Sequence, residues 1–285
     1  MWWWLLAVAL SLVSWGVASA RRVLYPERHV LPIPDPLPVC TSKTLTASDG
    51  RAFDVWRFDA PAPRGRVLVC HGFYANRYQV MGMADGLRQR GYETLLFELR
   101  GHGDRPGPCT LGVRECGDAE AVIRWAAARD GARPLPLGAV GFSMGASVVC
   151  QLAARTPALQ ALIADSLYSR LFPILAKEIR QRYALPAIPF VWLTWWSVQL
   201  ALGRRLSAAD PAALAPRLRQ SLLAIQGGED RRVPPACGEE FVRRWAGSVE
   251  RWVEPEVGHV GMFARDPRAY CDRVAAFFDR TLTGS

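Results

Sequence analysis

The stretch LGAVGFSMGASVVC, from Leu137 to Cys150, decides the fold. An apolar run typical of a buried strand ends at Gly-Phe-Ser-Met-Gly, and a run of small residues typical of a helix begins at once. A sharp turn from strand to helix exposes the side chain at its tip and needs small neighbours, because the two backbones come close. Gly141 and Gly145 meet that need, so the spacing matches the G-x-S-x-G nucleophile elbow and predicts Ser143 as a nucleophile.

Strands and helices alternate along most of the chain. Apolar runs predict strands over 66–70, 93–99, 136–142, 161–166, 221–227 and 249–254, and helical patterns cover 77–90, 113–129, 144–155, 235–246 and 267–282. Before them, TLTASDGRAFDVWRFDA alternates around Asp49-Gly50, which predicts a hairpin. Because short apolar strands separated by helices are typical of a sheet buried on both faces, we predict an α/β fold with a mostly parallel central sheet and helices on both faces.

The N-terminus predicts a membrane segment over residues 1–22. Trp2 to Ala20 carry no charge and are followed by Arg21-Arg22, and at about 1.5 Å per residue they form a helix close to the hydrocarbon thickness of about 30 Å. We expect a single-pass anchor. Cleavage of a signal after Ala18-Ser19-Ala20, giving a secreted or periplasmic protein, is the alternative. The side of the membrane on which the domain lies stays open.

A proline-rich tether over 23–42 is predicted to join this segment to one large α/β domain over 43–285. Within that domain, residues 167–215 interrupt the alternation with a stretch rich in tryptophan and proline. An insertion above the strand ends is well placed to form a helical cap over a site. We predict substrate contacts from Tyr74, Leu167, Trp192 and Trp195, with packing of the cap onto the body as the other role for its tryptophans.

Charge and cysteine content limit the partners. The net charge is +9, but the arginines occur singly or in pairs without a basic arm, which indicates that nucleic acid is not a partner. The seven cysteines form no CxxC pair and no zinc-type Cys/His spacing, so no metal site is predicted. Cys109 and Cys116 are close enough in sequence to pair in an oxidising compartment, and the compartment stays open.

To act as a nucleophile, a serine hydroxyl needs a base that takes its proton, and a histidine base needs a carboxylate that orients the ring and stabilises its charged form. Of the histidines, only His259 follows Ser143, as the chain order serine, acid, histidine requires, whereas His71 at the end of the first core strand is predicted to be structural. Asp230, in the glycine-led loop of LLAIQGGEDRRVPP, is the predicted carboxylate. Glu229 beside it and Asp165 after the preceding strand are the alternatives.

A tetrahedral intermediate needs donors for its negative oxygen. The N–H of Met144, the residue after the predicted nucleophile, is one predicted donor. The other comes from HGFYANR, the loop after the first core strand, where the N–H of Phe73 follows His71-Gly72. We therefore predict an oxyanion hole formed by Phe73 and Met144.

These motifs together resemble the α/β-hydrolase superfamily. HGFYANR, FELRGHGDR, GFSMGA, ADSLYS, GGEDRRVP and GHVGMF occur in the superfamily's order, and the resemblance covers roughly Arg51 to Arg280. More narrowly, the chain is similar to serine aminopeptidase-like and BEM46-like bacterial hydrolases with an N-terminal membrane segment, which share an LP-x-x-P stretch such as Leu185 to Pro189. The resemblance implies a Ser143–Asp230–His259 triad and no cofactor. One departure is Arg105 in GHGDR, which is expected to narrow the entrance.

Three functions follow from these features. The first is hydrolysis of a carboxylic ester or thioester with an apolar acyl group, whose substrate would be a small molecule or lipid-like. The second is an aminopeptidase or amidase, which the basic residues around Glu178 in the cap disfavour because an amino group needs an acidic site. The third is a membrane-tethered binding protein without catalysis, which the presence of both Ser143 and His259 disfavours.

Overall fold

The computed structural model describes residues 2–28, 40–131 and 134–282, and its centre is an eight-stranded sheet. The strand order is β1-β2-β4-β3-β5-β6-β7-β8. The β1/β2 and β2/β4 pairs are antiparallel, and the pairs from β4 to β8 are parallel. The strands are β1 (Thr41–Thr46), β2 (Ala52–Phe58), β3 (Gly65–Cys70), β4 (Tyr92–Phe97), β5 (Leu137–Phe142), β6 (Leu159–Asp165), β7 (Ser221–Gly227) and β8 (Val249–Glu254).

Helices lie on both faces of this sheet, and the predicted fold class is confirmed. The predicted hairpin is β1–β2, and each predicted strand and helix is present within a few residues of its expected ends. The helices are α1 (Trp2–Leu24), α2 (Arg77–Gln89), α3 (Glu115–Ala127), α4 (Met144–Ala153), α5 (Leu171–Tyr183), α6 (Trp192–Leu202), α7 (Pro211–Leu214), α8 (Pro235–Arg244), α9 (Met262–Arg265) and α10 (Pro267–Thr281).

The core has two layers because the central strands are covered on both sides. β3, β4 and β5 are buried at every position, which explains why their sequences are apolar throughout instead of alternating. On one face, α3 and α4 pack through residues such as Val122 and Val149, and on the other α2 and α10 pack through Met83 and Phe278. This packing fixes the carboxyl ends of the parallel strands, where ligands bind in such sheets.

The segment between β6 and β7 forms the insertion that the sequence predicts as a cap. It contains α5, a short π-helical turn at Ala187–Val191, α6, two 3-10 turns and α7. The axes of α5 and of the segment from Ala187 to Leu202 meet at 112°. Residues of α5 line a cavity together with Ser143, which follows the end of β5.

The N-terminal helix α1 is long and apolar enough to cross a membrane, and most of its surface is exposed. It continues through Leu24, beyond the predicted end at residue 22, and its C-terminal half packs on the insertion. Residues 29–39, which contain most of the predicted tether and His29, lie outside the described residues. Cys109 and Cys116 are both buried free thiols, so the pairing considered from the sequence is not formed.

Candidate active site

Ser143 occupies the turn between β5 and α4 in a strained backbone conformation. Its φ of 52° and ψ of −112° fall in a region that residues with a side chain rarely adopt. A Cβ on Gly141 would lie 2.5 Å from the Ala146 Cα, and a Cβ on Gly145 would collide with the carbonyl oxygens of Cys70 and His71. Both glycines are therefore required by close backbone approach, as the sequence predicts.

His259 and Asp230 form a direct contact beside this turn. The His259 Nδ1 lies 2.7 Å from Asp230 Oδ2. The other carboxylate oxygen accepts the N–H groups of Arg232 and Val233, at 2.9 and 2.8 Å. Because a tight turn holds one carboxylate oxygen and the histidine takes the other, Asp230 fixes the orientation of the imidazole ring. Asp230 is 3% exposed, whereas the His259 ring is partly accessible to solvent.

The two alternative carboxylates have other positions. Asp165 is fully buried and accepts hydrogen bonds from the hydroxyls of Tyr270, at 3.0 Å, and Ser166, at 2.9 Å. Burial raises the pKa of Asp165 to about 6. Glu229 is exposed, although its neighbour Asp230 is not. Of the three carboxylates considered from the sequence, Asp230 is the one in contact with His259.

The two predicted oxyanion donors flank Ser143. Met144 is the first residue of α4, where backbone N–H groups have no acceptor in a preceding turn of helix. Phe73 follows Gly72, on which a Cβ would lie 3.4 Å from the Ser143 Cβ, so this loop packs directly on the elbow. His71 has its Nδ1 2.9 Å from Gly72 O and its Nε2 3.0 Å from Leu99 N, and these contacts support the loop from below.

Arg105 does not narrow the entrance, and that expectation is wrong. Its side chain is buried, donates to the Glu98 carbonyl oxygen at 2.9 Å and pairs with Asp118 at 2.8 Å. Its guanidinium also stacks 4.2 Å from the centre of the Phe53 ring. A buried ion-pair partner explains why an arginine follows Asp104, and this arginine does not face the site.

Two cavities meet at Ser143. The first extends below α5 and is partly open to solvent. The second lies on the other side of the serine and includes His259, Val260 and Phe263 in its wall. Phe73, Tyr74 and Arg232 line both. The apolar wall of the first cavity consists mainly of Leu111, Leu171, Ile174, Leu175, Ile179 and Val233.

Only one of the predicted substrate contacts lines these cavities. Tyr74 does so, whereas Leu167 is buried beneath the site and borders a separate cavity. Trp192 and Trp195 pack on Phe172 of α5, with ring centres 4.8 and 5.2 Å away. Their role in the structure is the one that the sequence left as the alternative, namely packing of the cap, and the residue of α6 that lines the first cavity is Thr194.

The sequence missed a contribution from α1. Ser19, Arg22 and Val23 of that helix line the first cavity together with Ser143. Gly16 and Ala20, one helical turn apart, form a small-residue spacing that is typical of close helix contacts, and this spacing is the sequence signal that could have indicated the contribution of α1.

Among the described residues, no group of three or more His, Cys, Asp or Glu side chains is arranged to hold a metal ion.

Comparison with known proteins places the chain among hydrolases. Residues 67–273 match the model of the alpha/beta hydrolase family. An uncharacterized protein of Mycobacterium tuberculosis is 28% identical over 282 residues, which cover 96% of this chain and 92% of that protein. An uncharacterized Bacillus subtilis protein is 23% identical over 234 residues, covering 81% of this chain and 75% of that protein.

Solved structures give the same result for the fold. An esterase of Pyrococcus furiosus superposes with a TM-score of 0.75 at 24% identity, covering 92% of this chain and 99% of that one. An esterase of Exiguobacterium antarcticum gives 0.61 at 18% identity, with 83% and 98% covered. At these identities the likeness is one of fold.

Proposed function

Because the chain belongs to the alpha/beta hydrolase family, we propose that it is a serine hydrolase that cleaves carboxylic esters or thioesters with an apolar acyl group. The observation that carries this proposal is the position of Ser143, where a cavity with apolar walls meets a second cavity that contains His259. The narrower kinship with the BEM46-like and serine aminopeptidase-like groups is part of the same proposal. No cofactor takes part in it.

In the proposed reaction, the Ser143 Oγ attacks the acyl carbonyl carbon while His259 Nε2 takes the hydroxyl proton. The carbonyl oxygen becomes negative and accepts hydrogen bonds from the N–H groups of Phe73 and Met144. Asp230 holds the Nδ1–H and stabilises the imidazolium. The leaving alcohol or thiol takes the proton from His259, and water then attacks the acyl-enzyme with His259 as base, which releases the acid and restores Ser143.

The two cavities favour one orientation of the substrate, with the acyl chain in one cavity and the leaving group in the other. The leaving group must lie within reach of His259, since it receives its proton from that ring. The cavity containing His259 and Phe263 therefore takes the leaving group. The acyl chain then takes the first cavity, where leucine and isoleucine side chains bury an apolar chain at about 0.8 kcal/mol per methylene.

The aminopeptidase alternative is weaker because the acidic residue of the first cavity is already paired. Glu178 Oε1 lies 2.9 Å from Arg232 Nε. Arg22 and Arg182 line the same cavity, so its charge repels a substrate ammonium group. An ester or thioester carries no such group and meets no such repulsion.

The proposal includes retention of the N-terminal segment as a membrane anchor. Ser19 and Ala20, at the alternative cleavage site, are buried inside a continuous helix. Cleavage after Ala20 would remove Trp15 and Ser19, which bond to the insertion, and Ser19 also lines the acyl cavity. The tryptophans at the start of α1 and the arginines near its end fit the two interfaces of a bilayer.

The proposal is tested by labelling the full chain in detergent with a fluorophosphonate probe. We expect labelling of the wild type, none in Ser143→Ala and much less in His259→Ala. Ser248→Ala, which changes an exposed serine hydrogen-bonded to Ser221, is the matched control and should label like the wild type. Labelling that persists in Ser143→Ala would refute the assignment, and a folded wild type without labelling would favour the binding-protein alternative.

Hydrolysis of esters, thioesters and amides with acyl chains from acetyl to dodecanoyl then tests the substrate class. We expect the highest kcat/KM with medium-length or long chains and with esters or thioesters. A preference for acetyl groups would contradict an apolar acyl site. Release of an amide-linked reporter at the rate of the esters would support the aminopeptidase alternative.

A further inference from the structure

We propose that α1 is a permanent wall of the acyl site, and that it sets this site at the surface of a lipid bilayer from which acyl-ester lipids enter. This inference rests on the proposed hydrolase function. It gives α1 a part in substrate binding beyond anchoring, and it names membrane-dissolved acyl esters as the substrate class.

The contact between α1 and α6 is close and specific. Gly16, Ser19 and Ala20 are buried on one face of α1. A Cβ on Gly16 would lie 2.7 Å from Ser197 Oγ and 3.7 Å from Leu193 Cβ, so any side chain at position 16 would have to displace the Ser197 hydroxyl. The hydroxyls of Ser19 and Thr194 are 2.7 Å apart. Small residues joined by a hydroxyl hydrogen bond are typical of helix pairs in membranes.

Further contacts tie α1 to the rest of the molecule. The Trp15 indole donates to the Phe190 carbonyl oxygen at 3.2 Å, and its ring meets Tyr183 edge to face at 5.0 Å. Arg22 donates to the Tyr183 hydroxyl at 2.9 Å. The Cys109 N–H donates to Leu24 O at 2.7 Å, which links the end of α1 to the loop before α3. The helix is thus held by both the insertion and the body.

This docking brings α1 into the site. Ser19, Arg22 and Val23 border the cavity that also contains Ser143, together with apolar residues of α5. An acyl chain that fills this cavity therefore contacts both α5 and α1. If α1 moved away, the chain would lose one wall and be exposed to water, whereas the atoms around Ser143 would keep their positions.

The length of the exposed part of α1 determines how much of the molecule must lie in the bilayer. Residues 2–11 are exposed on all sides, and at about 1.5 Å per residue they extend about 15 Å, half of a hydrocarbon core of about 30 Å. To span that core, the docked turns of α1 must enter it as well, and α6 enters with them.

The exposed surface of α6 suits that environment. Trp196 is 61% and Leu200 84% exposed, and Ile188 beside the helix is 73% exposed. This apolar surface is continuous with α1, because the two helices are in contact. We therefore assign a lipid bilayer as the occupant of this joint surface. Ser19 of α1 and Thr194 of α6 line the acyl cavity, so the cavity borders the same two helices.

The kinetic test uses the full chain in bilayer nanodiscs. Gly16→Ile pushes α1 away from α6, and Ser197→Leu does so from the other side. Val17→Ile, on the exposed face of α1, is the matched control. We expect the ratio of decanoyl-ester to acetyl-ester kcat/KM to fall about tenfold in both test variants, equivalent to losing burial of about two methylene groups, and to stay constant in the control.

Fluorophosphonate labelling and acetyl-ester hydrolysis report on Ser143 separately. If the wild type shows both and the ratio is unchanged in Gly16→Ile and Ser197→Leu, the inference is overturned and the hydrolase proposal stands. If the wild type shows neither, the hydrolase proposal fails, and with it the assignment of an acyl site.

Bilayer contact is measured independently of activity. An environment-sensitive fluorophore is attached to Leu200→Cys, with the half-buried Cys40 and Cys237 replaced by serine. In nanodiscs we expect a blue-shifted emission that nitroxide-bearing lipids quench. The same label on Arg268→Cys, whose native side chain is 91% exposed on α10, should show neither effect. Equal, water-like emission from both sites would exclude bilayer contact of α6.

Discussion

The Ser166 hydroxyl accepts a hydrogen bond of 3.0 Å from the backbone N–H of Val260, and this bond joins the end of β6 to the loop that carries His259. Both residues have positive φ angles, of 56° and 54°, which side-chain-bearing residues rarely adopt. The same hydroxyl donates to Asp165 at 2.9 Å. Asp165 thus supports the histidine loop through Ser166, without touching the imidazole.

Ser166→Ala should reduce catalysis by displacing that loop. The substitution leaves the buried Asp165 carboxyl and the Val260 N–H without this partner, which costs about 1 to 3 kcal/mol. We expect kcat for a short ester to fall about tenfold while KM changes little, because a small shift of the base affects the transition state most. Steady-state kinetics checks this. Ser169→Ala, which removes a hydroxyl bonded to Glu240, should leave kcat unchanged, and an equal loss in both variants would contradict the positioning role.

Three substitutions distinguish the carboxylates near the site. Asp230→Asn should lower kcat by a factor of about 10³ to 10⁴, because an amide favours the wrong tautomer of His259. Glu229→Gln should stay within about twofold, since that side chain is exposed. Asp165→Asn should reduce kcat much less than Asp230→Asn. Comparison of kcat at one saturating ester concentration decides among them, and a larger loss in Asp165→Asn would move the proposed acid to β6.

Much of the site could be predicted because it depends on local pattern and chain order. The elbow around Ser143 has its own glycine spacing, and Asp230 and His259 follow strands that end at one edge of the sheet. The contacts of α1 could not be predicted in this way, since Ser19 meets Thr194 across 175 residues of sequence. The sequence predicts Trp192 and Trp195 in the substrate site, whereas the structure packs them on Phe172. An apolar helix pattern indicates that a face is covered, but it does not distinguish cover by a substrate from cover by another helix.

His102 should make stability depend on pH. Burial, aided by repulsion from His71, lowers the pKa of His102 to about 4. Its Nδ1 lies 2.8 Å from Arg100 O, and its Nε2 is buried without a hydrogen-bond partner among the described residues. In the unfolded chain the pKa is about 6.5, so between these values the unfolded state binds more protons, and the free energy of unfolding falls as the pH falls.

The measurement is urea unfolding of the wild type and His102→Asn at pH 7 and pH 5. Asparagine keeps a donor near the Arg100 carbonyl oxygen but does not titrate. We expect the wild type to lose about 2 kcal/mol more than the variant between these pH values. The difference between the two proteins removes the opposite effect of Asp165, whose raised pKa stabilises the folded state as the pH falls. Parallel losses in both proteins would exclude His102 as the cause.

A substitution inside the first cavity should shorten the preferred acyl chain. Leu175 of α5 is buried, 8% exposed, and forms part of the cavity wall. Leu175→Phe adds volume where the distal part of an acyl chain would lie, so decanoyl-ester kcat/KM should fall by about tenfold or more, since overpacking costs about 1 to 3 kcal/mol. Acetyl-ester hydrolysis should change by less than about twofold, because a two-carbon group stays next to Ser143.

Trp192→Leu is the matched control for this prediction. Trp192 contacts Phe172 on α5 and does not line the cavity, so its replacement should lower the free energy of unfolding without changing the chain-length profile. The profile is the ratio of kcat/KM values across the ester series. A profile shifted by Trp192→Leu but not by Leu175→Phe would place the acyl chain on the α6 side of the insertion, and the leaving-group and acyl cavities would then have to be reassigned.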